Sequence, residues 1–211
     1  MLKSVLRVGE GMPNRDEIKM LADQSGGVFR TADLTKLGYD GNAVRRLVAD
    51  QVIERIKPSY YRLYNAAEEL SDAAQLAQLY PDGVLCMETA LLYYRYSDRT
   101  PQAWNIAVDR NTSKARFKLE DILVQPHYMK KELLTFGVTT ADYVDCRLPI
   151  FDRDRLICEC VFYENKMDRE TYTKAIQRYV ADPKKSVPRL LEYAEKRRIL
   201  KKVKDRIGLW I

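Results

Sequence analysis

The feature that most limits how this chain can fold lies between residues 25 and 64. There, short helix-forming stretches meet at glycine turns and run directly into a basic hairpin. Ser25-Gly26-Gly27 ends a helical stretch of about Arg15 to Gln24, in which Ile18, Leu21 and Ala22 line one face behind Asn14 as N-cap. Val28-Phe29 reads as a short extended piece. Thr31 is expected to cap a second helix, Ala32 to Leu37, which Gly38 closes. Gly38-Tyr39-Asp40 then turns the chain into a third helix, from Gly41 to about Asp50, with Asp40 as its N-cap.

In the third helix Val44, Leu47 and Val48 form one apolar stripe, leaving Asn42, Arg45, Arg46 and Ala49 on the remaining surface. Arginine can grip guanine bidentately and asparagine can do the same for adenine, although an amphipathic helix also carries arginines merely to solvate its outer face. The next dozen residues favour base contact. Val52 to Ile56 and Tyr60 to Tyr64 alternate like strands around Lys57-Pro58-Ser59. Helix, minor strand, helix, turn, helix and basic hairpin, in that order, predict a winged helix-turn-helix that binds double-stranded DNA. Its candidate contacts are Thr31, Asn42, Arg45 and Arg46, together with Lys57, Ser59, Tyr60 and Arg62 along the hairpin, the latter mostly to phosphate and sugar.

At 211 residues the chain has room for a second core behind this module. The expected division is residues 1–65 for the winged helix-turn-helix and 66–211 for a larger mixed α/β domain ending in a helical C-terminal region, an α+β fold overall. Helices are expected over Glu68 to Leu79 and Cys86 to Tyr94. Strands are expected at Trp104 to Val108, Ile122 to Tyr128, Leu133 to Val138 and Tyr143 to Ile150. Four helical stretches close the chain: Arg153 to Glu164, Arg169 to Tyr179, Val187 to Arg197 and Ile199 to Ile207, with Asp152, Asp168 and Ser186 as caps.

Charge is unevenly spread. Residues 1–65 hold 11 Lys/Arg against 8 Asp/Glu, residues 66–183 hold 15 against 19, and residues 184–211 hold 10 against 3. The last stretch offers a basic C-terminal surface of Lys196, Arg197, Arg198, Lys201, Lys202 and Lys204. It reads either as a solvated helix face or as a docking surface for nucleic acid or an acidic partner.

Catalytic signals are sparse. The chain has no glycine-rich phosphate loop, no Gly-x-Ser-x-Gly elbow and no His-Glu-x-x-His, and its one histidine, His127, has no nucleophile at motif spacing. Asp142, Asp145, Asp152 and Asp154 cluster as a metal-dependent nuclease could use them, but they also suit caps and strand ends. Cys86, Cys146, Cys158 and Cys160 read as reduced core residues, and a single histidine argues against a zinc site. No catalytic residue, metal or cofactor is expected. Neither a membrane span nor a leader is expected, and the chain is expected in the cytoplasm.

Three stretches carry a family resemblance: GGVFRTADLTKLGYDGNAVRRLVADQVIERIKPSYYRLYN, YPDGVLCMETALLYY, and GVTTADYVDCRLPIFDRDRLICECVFYENKMDRETYTKAIQRYV. Together they resemble the abortive-infection AbiEi antitoxins of type IV toxin-antitoxin systems. The chain departs from that family's pattern in having Lys57-Pro58-Ser59 where a wing-tip glycine is frequent, Tyr93-Tyr94 where a histidine is usual, and Leu156 where a threonine is usual. The resemblance implies a non-enzymatic autorepressor that binds inverted repeats in its own promoter. It also implies a second domain that opposes a nucleotidyltransferase-type toxin without a stable complex. The alternative is a stand-alone winged-helix regulator whose second domain senses a ligand or oligomerises.

Overall fold

Glycines and aspartates punctuate the first unit. The computed structural model describes residues 15–64, 71–117 and 122–208. These fall into two units that divide after Ser71. Helix α1 (Arg15–Gln24) buries Ile18 and Ala22, while its expected cap, Asn14, lies outside the described residues. Gly26 and Gly27 take φ of 69° and 97°, and the Gly27 amide closes the helix by donating to the Ala22 carbonyl at 2.7 Å. Strand β1 (Phe29–Arg30) leads into α2 (Thr31–Lys36) and α3 (Gly41–Ala49). Gly38, at φ 90°, lets the Tyr39 amide reach back to the Leu34 carbonyl at 3.0 Å. Asp40 caps α3, accepting from the Ala43 amide at 2.7 Å.

Strands β2 (Ile53–Lys57) and β3 (Tyr60–Leu63) complete an antiparallel sheet in the order β1-β3-β2. Ile18, Phe29, Leu34, Val44, Leu47, Ile53 and Tyr61 pack into the core beneath it.

Three local expectations change. Thr31 is the first helical residue rather than the cap. Arg30 holds the extended cap position, and its amide donates to the Asp33 carboxylate at 3.0 Å. Lys57 is a strand residue paired with Tyr60, so the turn is Pro58-Ser59. Val48 is 37% exposed, because Val44 and Leu47 alone face the core.

The second unit is mixed α and β. Helix α4 (Asp72–Leu79), strand β4 (Val84–Leu85), helix α5 (Met87–Tyr93) and strand β5 (Trp104–Asp109) come first. Strands β6 (Val124–Met129), β7 (Val138–Asp142) and β8 (Arg147–Phe151) complete a 5-stranded sheet in the order β6-β5-β4-β8-β7. The β5-β6 and β4-β8 pairs are parallel and the other two antiparallel. Helices α6 (Arg153–Phe162), α7 (Arg169–Ala181), α8 (Val187–Lys196) and α9 (Leu200–Ile207) come after the sheet.

The strand expected over Leu133 to Val138 is instead a 3-10 turn at Lys131–Leu134, and β7 starts only after Gly137, whose φ is 64°. A Cβ at Gly137 would sit 2.6 Å from the Cβ of Arg155. The two-residue β4 is too short to leave a periodic signal. Asp152 and Asp168 cap α6 and α7 through the Arg155 and Thr171 amides. Ser186 takes the cap position of α8 without a side-chain bond, its own amide donating to Asp154 instead.

Helix α6 is buried from Asp154 to Val161, so its charges need partners inside the fold. Arg155 donates to Glu159 from Nε at 3.0 Å, and its guanidinium lies 4.1 Å over the Phe136 ring and 4.6 Å over the Phe151 ring. Asp154 accepts from the Tyr179 hydroxyl at 2.9 Å and pairs with Arg189 at 3.0 Å. Cys86, Cys158 and Cys160 are buried thiols, and Cys146 is half-buried. Burial drives the three buried thiols above their ordinary range, so they behave as packing residues. Among the described residues no helix is long and apolar enough to cross a membrane, and no group of His, Cys, Asp and Glu is placed to hold a metal ion.

Candidate nucleic-acid interface

Helix α3 presents its polar residues together because Val44 and Leu47 fix which face turns inward. Asn42, Arg45 and Arg46 are all exposed. Arg45 Nη1 donates to Asn42 Oδ1 at 3.4 Å, a pairing that keeps two base-reading side chain types side by side over one turn. The surface they form is cationic and projects from a short, well-capped helix.

A second cluster forms where α2 begins. The Thr31 amide donates to the Ser59 carbonyl at 3.0 Å, bringing two of the candidate residues into contact across the sheet. Beside them the Tyr60 ring is approached by two cations, Lys57 Nζ at 4.3 Å and the Arg30 guanidinium at 5.2 Å. Arg30 is exposed and joins the candidates, although the sequence pattern does not single it out. Its position immediately before the first helical residue is the one signal that could have found it.

Two hairpin candidates sit differently from the exposed contacts expected of them. The Lys57 side chain is buried, and so is Arg62. Glu54 and Arg62 are direct cross-strand partners, and Arg62 Nε donates to Glu54 Oε1 at 2.7 Å. Ser59 is exposed at the tip and Tyr60 half-buried.

The basic C-terminal stretch is partly neutralised by the helices it packs on. Arg197 bonds Glu159 at 2.9 Å and lies 3.6 Å over the Phe162 ring, with its side chain only 9% exposed. Lys202 and Arg206 both pair with Glu164, and Lys196 pairs with Glu192. Arg198, Lys201 and Lys204 remain exposed. The continuous basic face is therefore reduced to scattered charges, with Arg197 serving the interior.

His127, on β6, is half-buried, its Nε2 lying 2.8 Å from Asn105 Oδ1. Burial lowers its pKa, favouring the neutral ring.

Among curated proteins none matches the chain. Residues 16–64 match the family model described as "Transcriptional regulator, AbiEi antitoxin", a span that takes in α1 through β3. Over that span the chain is similar to the AbiEi antitoxin family of transcriptional regulators.

Proposed function

We propose that the chain is a type IV antitoxin and transcriptional autorepressor whose first unit is a winged helix-turn-helix. In this reading α2 and α3 are the helix-turn-helix and β2-β3 the wing, with α3 entering the major groove of promoter inverted repeats. The observation that carries it is the exposed Asn42, Arg45 and Arg46 face of α3, within a stretch matching a family of transcriptional regulators. Arg45, Arg46 and Asn42 read base edges, while Arg30, Ser59 and Tyr60 meet phosphate and sugar. The second unit opposes a nucleotidyltransferase-type toxin in the cytoplasm, no stable complex between the two being required.

Fluorescence anisotropy on the chain's own promoter tests the DNA reading. Alanine at both Arg45 and Arg46 is expected to cost about 1 to 3 kcal/mol for each arginine that reads a base. Unchanged affinity would remove α3 from the groove. For the toxin reading, residues 72–211 expressed alone are expected to rescue growth in cells producing the adjacent toxin. Rescue by the full chain only would tie antitoxicity to DNA binding.

A further inference from the structure

A polar cleft in the second unit is lined by none of the residues proposed above to meet DNA. It has two lobes, of about 370 and 570 Å³, and Glu88, Asn105, Gln125, His127 and Lys166 line both. These volumes fall in the range of small-molecule sites. The parallel register of β5 and β6 sets Asn105 opposite Gln125 and Ala107 opposite His127, which puts Asn105, Gln125 and His127 on one face of the sheet.

Asn105 is held firmly. Its backbone amide donates to Thr89 Oγ1 at 2.8 Å, and its Nδ2 donates to the Ala103 carbonyl at 3.0 Å. With Nδ2 committed, Oδ1 is the atom that meets His127 Nε2 at 2.8 Å. A carbonyl oxygen only accepts, so Nε2 carries the ring proton, and the neutral imidazole keeps Nδ1 as an open acceptor. Asn105 is thus a positioning residue for His127.

The remaining lining narrows the ligand. The Tyr163 ring stands edge-on to His127 with centroids 5.9 Å apart, giving the first lobe an aromatic wall. Gln125 contributes an amide edge able to donate and accept. The charges nearly cancel, since Glu88 accompanies Lys166 in the lining and Arg99 is engaged by Asp168 and Glu170. Such a balance does not suit a polyanion. Met87, also in the lining, is held at φ 43°, a left-handed conformation that costs a non-glycine residue and concentrates at ligand sites.

We propose that this cleft binds a nucleobase or nucleoside, with His127 Nδ1 accepting from an N–H of the base and the Gln125 amide pairing with the base edge. A neutral imidazole acceptor, an amide and an aromatic wall complement a planar, uncharged molecule with amide-like edges.

His127 is the chain's one histidine, so its ring nitrogens can be followed by ¹⁵N NMR in the intact protein without assignment ambiguity. The expected spectrum is that of the neutral Nε2–H tautomer. Titration with adenosine, guanosine, cytidine and uridine, each to about 1 mM, is expected to move the Nδ1 resonance for at least one of them. Calorimetry should give one site, weakened roughly tenfold in Gln125→Ala. An Nδ1–H tautomer, an unmoved Nδ1 with all four nucleosides, or equal affinity in Gln125→Ala would each overturn the proposal. A shift produced by free amino acids and by no nucleoside would overturn the ligand class. Because the central readout uses the unaltered protein, misfolding of a variant leaves the test intact.

Discussion

The amide of Thr31 donates to the carbonyl of Ser59 at 3.0 Å, and this bond couples the start of α2 to the tip of the β2-β3 hairpin. It takes up one of the orphan donors of the α2 N-terminus, which no side chain at the cap position satisfies. It also holds Ser59 in a left-handed conformation, φ 68°, after Pro58. Proline at the first turn position and positive φ at the second is the pattern in which glycine is favoured. The AbiEi pattern frequently has glycine near this point, so the chain's departure from it is borne by Ser59 as backbone strain.

Ser59→Gly is therefore expected to stabilise the first unit. Relief of a left-handed non-glycine residue is worth about 1 to 2 kcal/mol. Roughly 0.5 to 1 kcal/mol of it is offset by the greater freedom of glycine in the unfolded chain. A rise in the urea midpoint with unchanged slope is the expected result, and a fall would show that the Ser59 side chain contributes more than its backbone costs.

The Glu159 carboxylate is the anion between two guanidiniums, Arg155 and Arg197. Glu159→Gln leaves both cations without their countercharge inside the fold, and removing one partner of a buried pair typically costs about 3 to 5 kcal/mol. Arg197→Met, which keeps an apolar stem on Phe162, is expected to cost far less, because Arg155 still neutralises Glu159. Thermal unfolding of the two variants side by side checks the ranking. Equal losses would contradict it.

Much of this fold is legible in the sequence wherever the deciding interaction is local. Asp40, Asp152 and Asp168 cap their helices as the spacing predicts, because each bond spans three residues. Gly38 closes α2 for the same reason. The misses share a different cause. Lys57 and Arg62 look like exposed hairpin cations until the register of β2 against β3 places Glu54 opposite Arg62. Arg197 reads as surface charge until Glu159, 38 positions away, is brought to it. Gly137 interrupts an apolar run because Arg155 packs on its Cα, a contact with no trace in local periodicity.

The candidate site divides along the same line. Exposure of Asn42, Arg45 and Arg46 on α3 follows from helical period alone, whereas exposure along the hairpin depends on cross-strand packing that periodicity does not carry. Arg45 and Arg62 are accordingly expected to fail differently. Arg62→Ala should lower the melting temperature, at about 1 to 3 kcal/mol for a buried charged hydrogen bond. Arg45→Ala should leave stability within about 0.5 kcal/mol, as exposed substitutions do, while weakening promoter binding. Paired melting and anisotropy measurements on both variants separate the two roles.

His127 gives the pH dependence a definite sign. Burial is the largest influence on its ring and holds the folded pKa below the ordinary 6.5, with the Glu159 charge acting in the opposite direction. The unfolded chain therefore takes up a proton near pH 6.5 that the folded protein accepts only at lower pH. Protons bound in excess by the unfolded state make stability fall as pH drops through 6.5 toward the folded value. Following the single imidazole by NMR should give a midpoint below 6.5 in the folded protein. Denaturant midpoints at pH 7 and at pH 5.5 should then differ more for the native sequence than for His127→Phe, which cannot titrate. An imidazole midpoint above 6.5 would reverse the sign and show that the Glu159 charge, rather than burial, governs the ring.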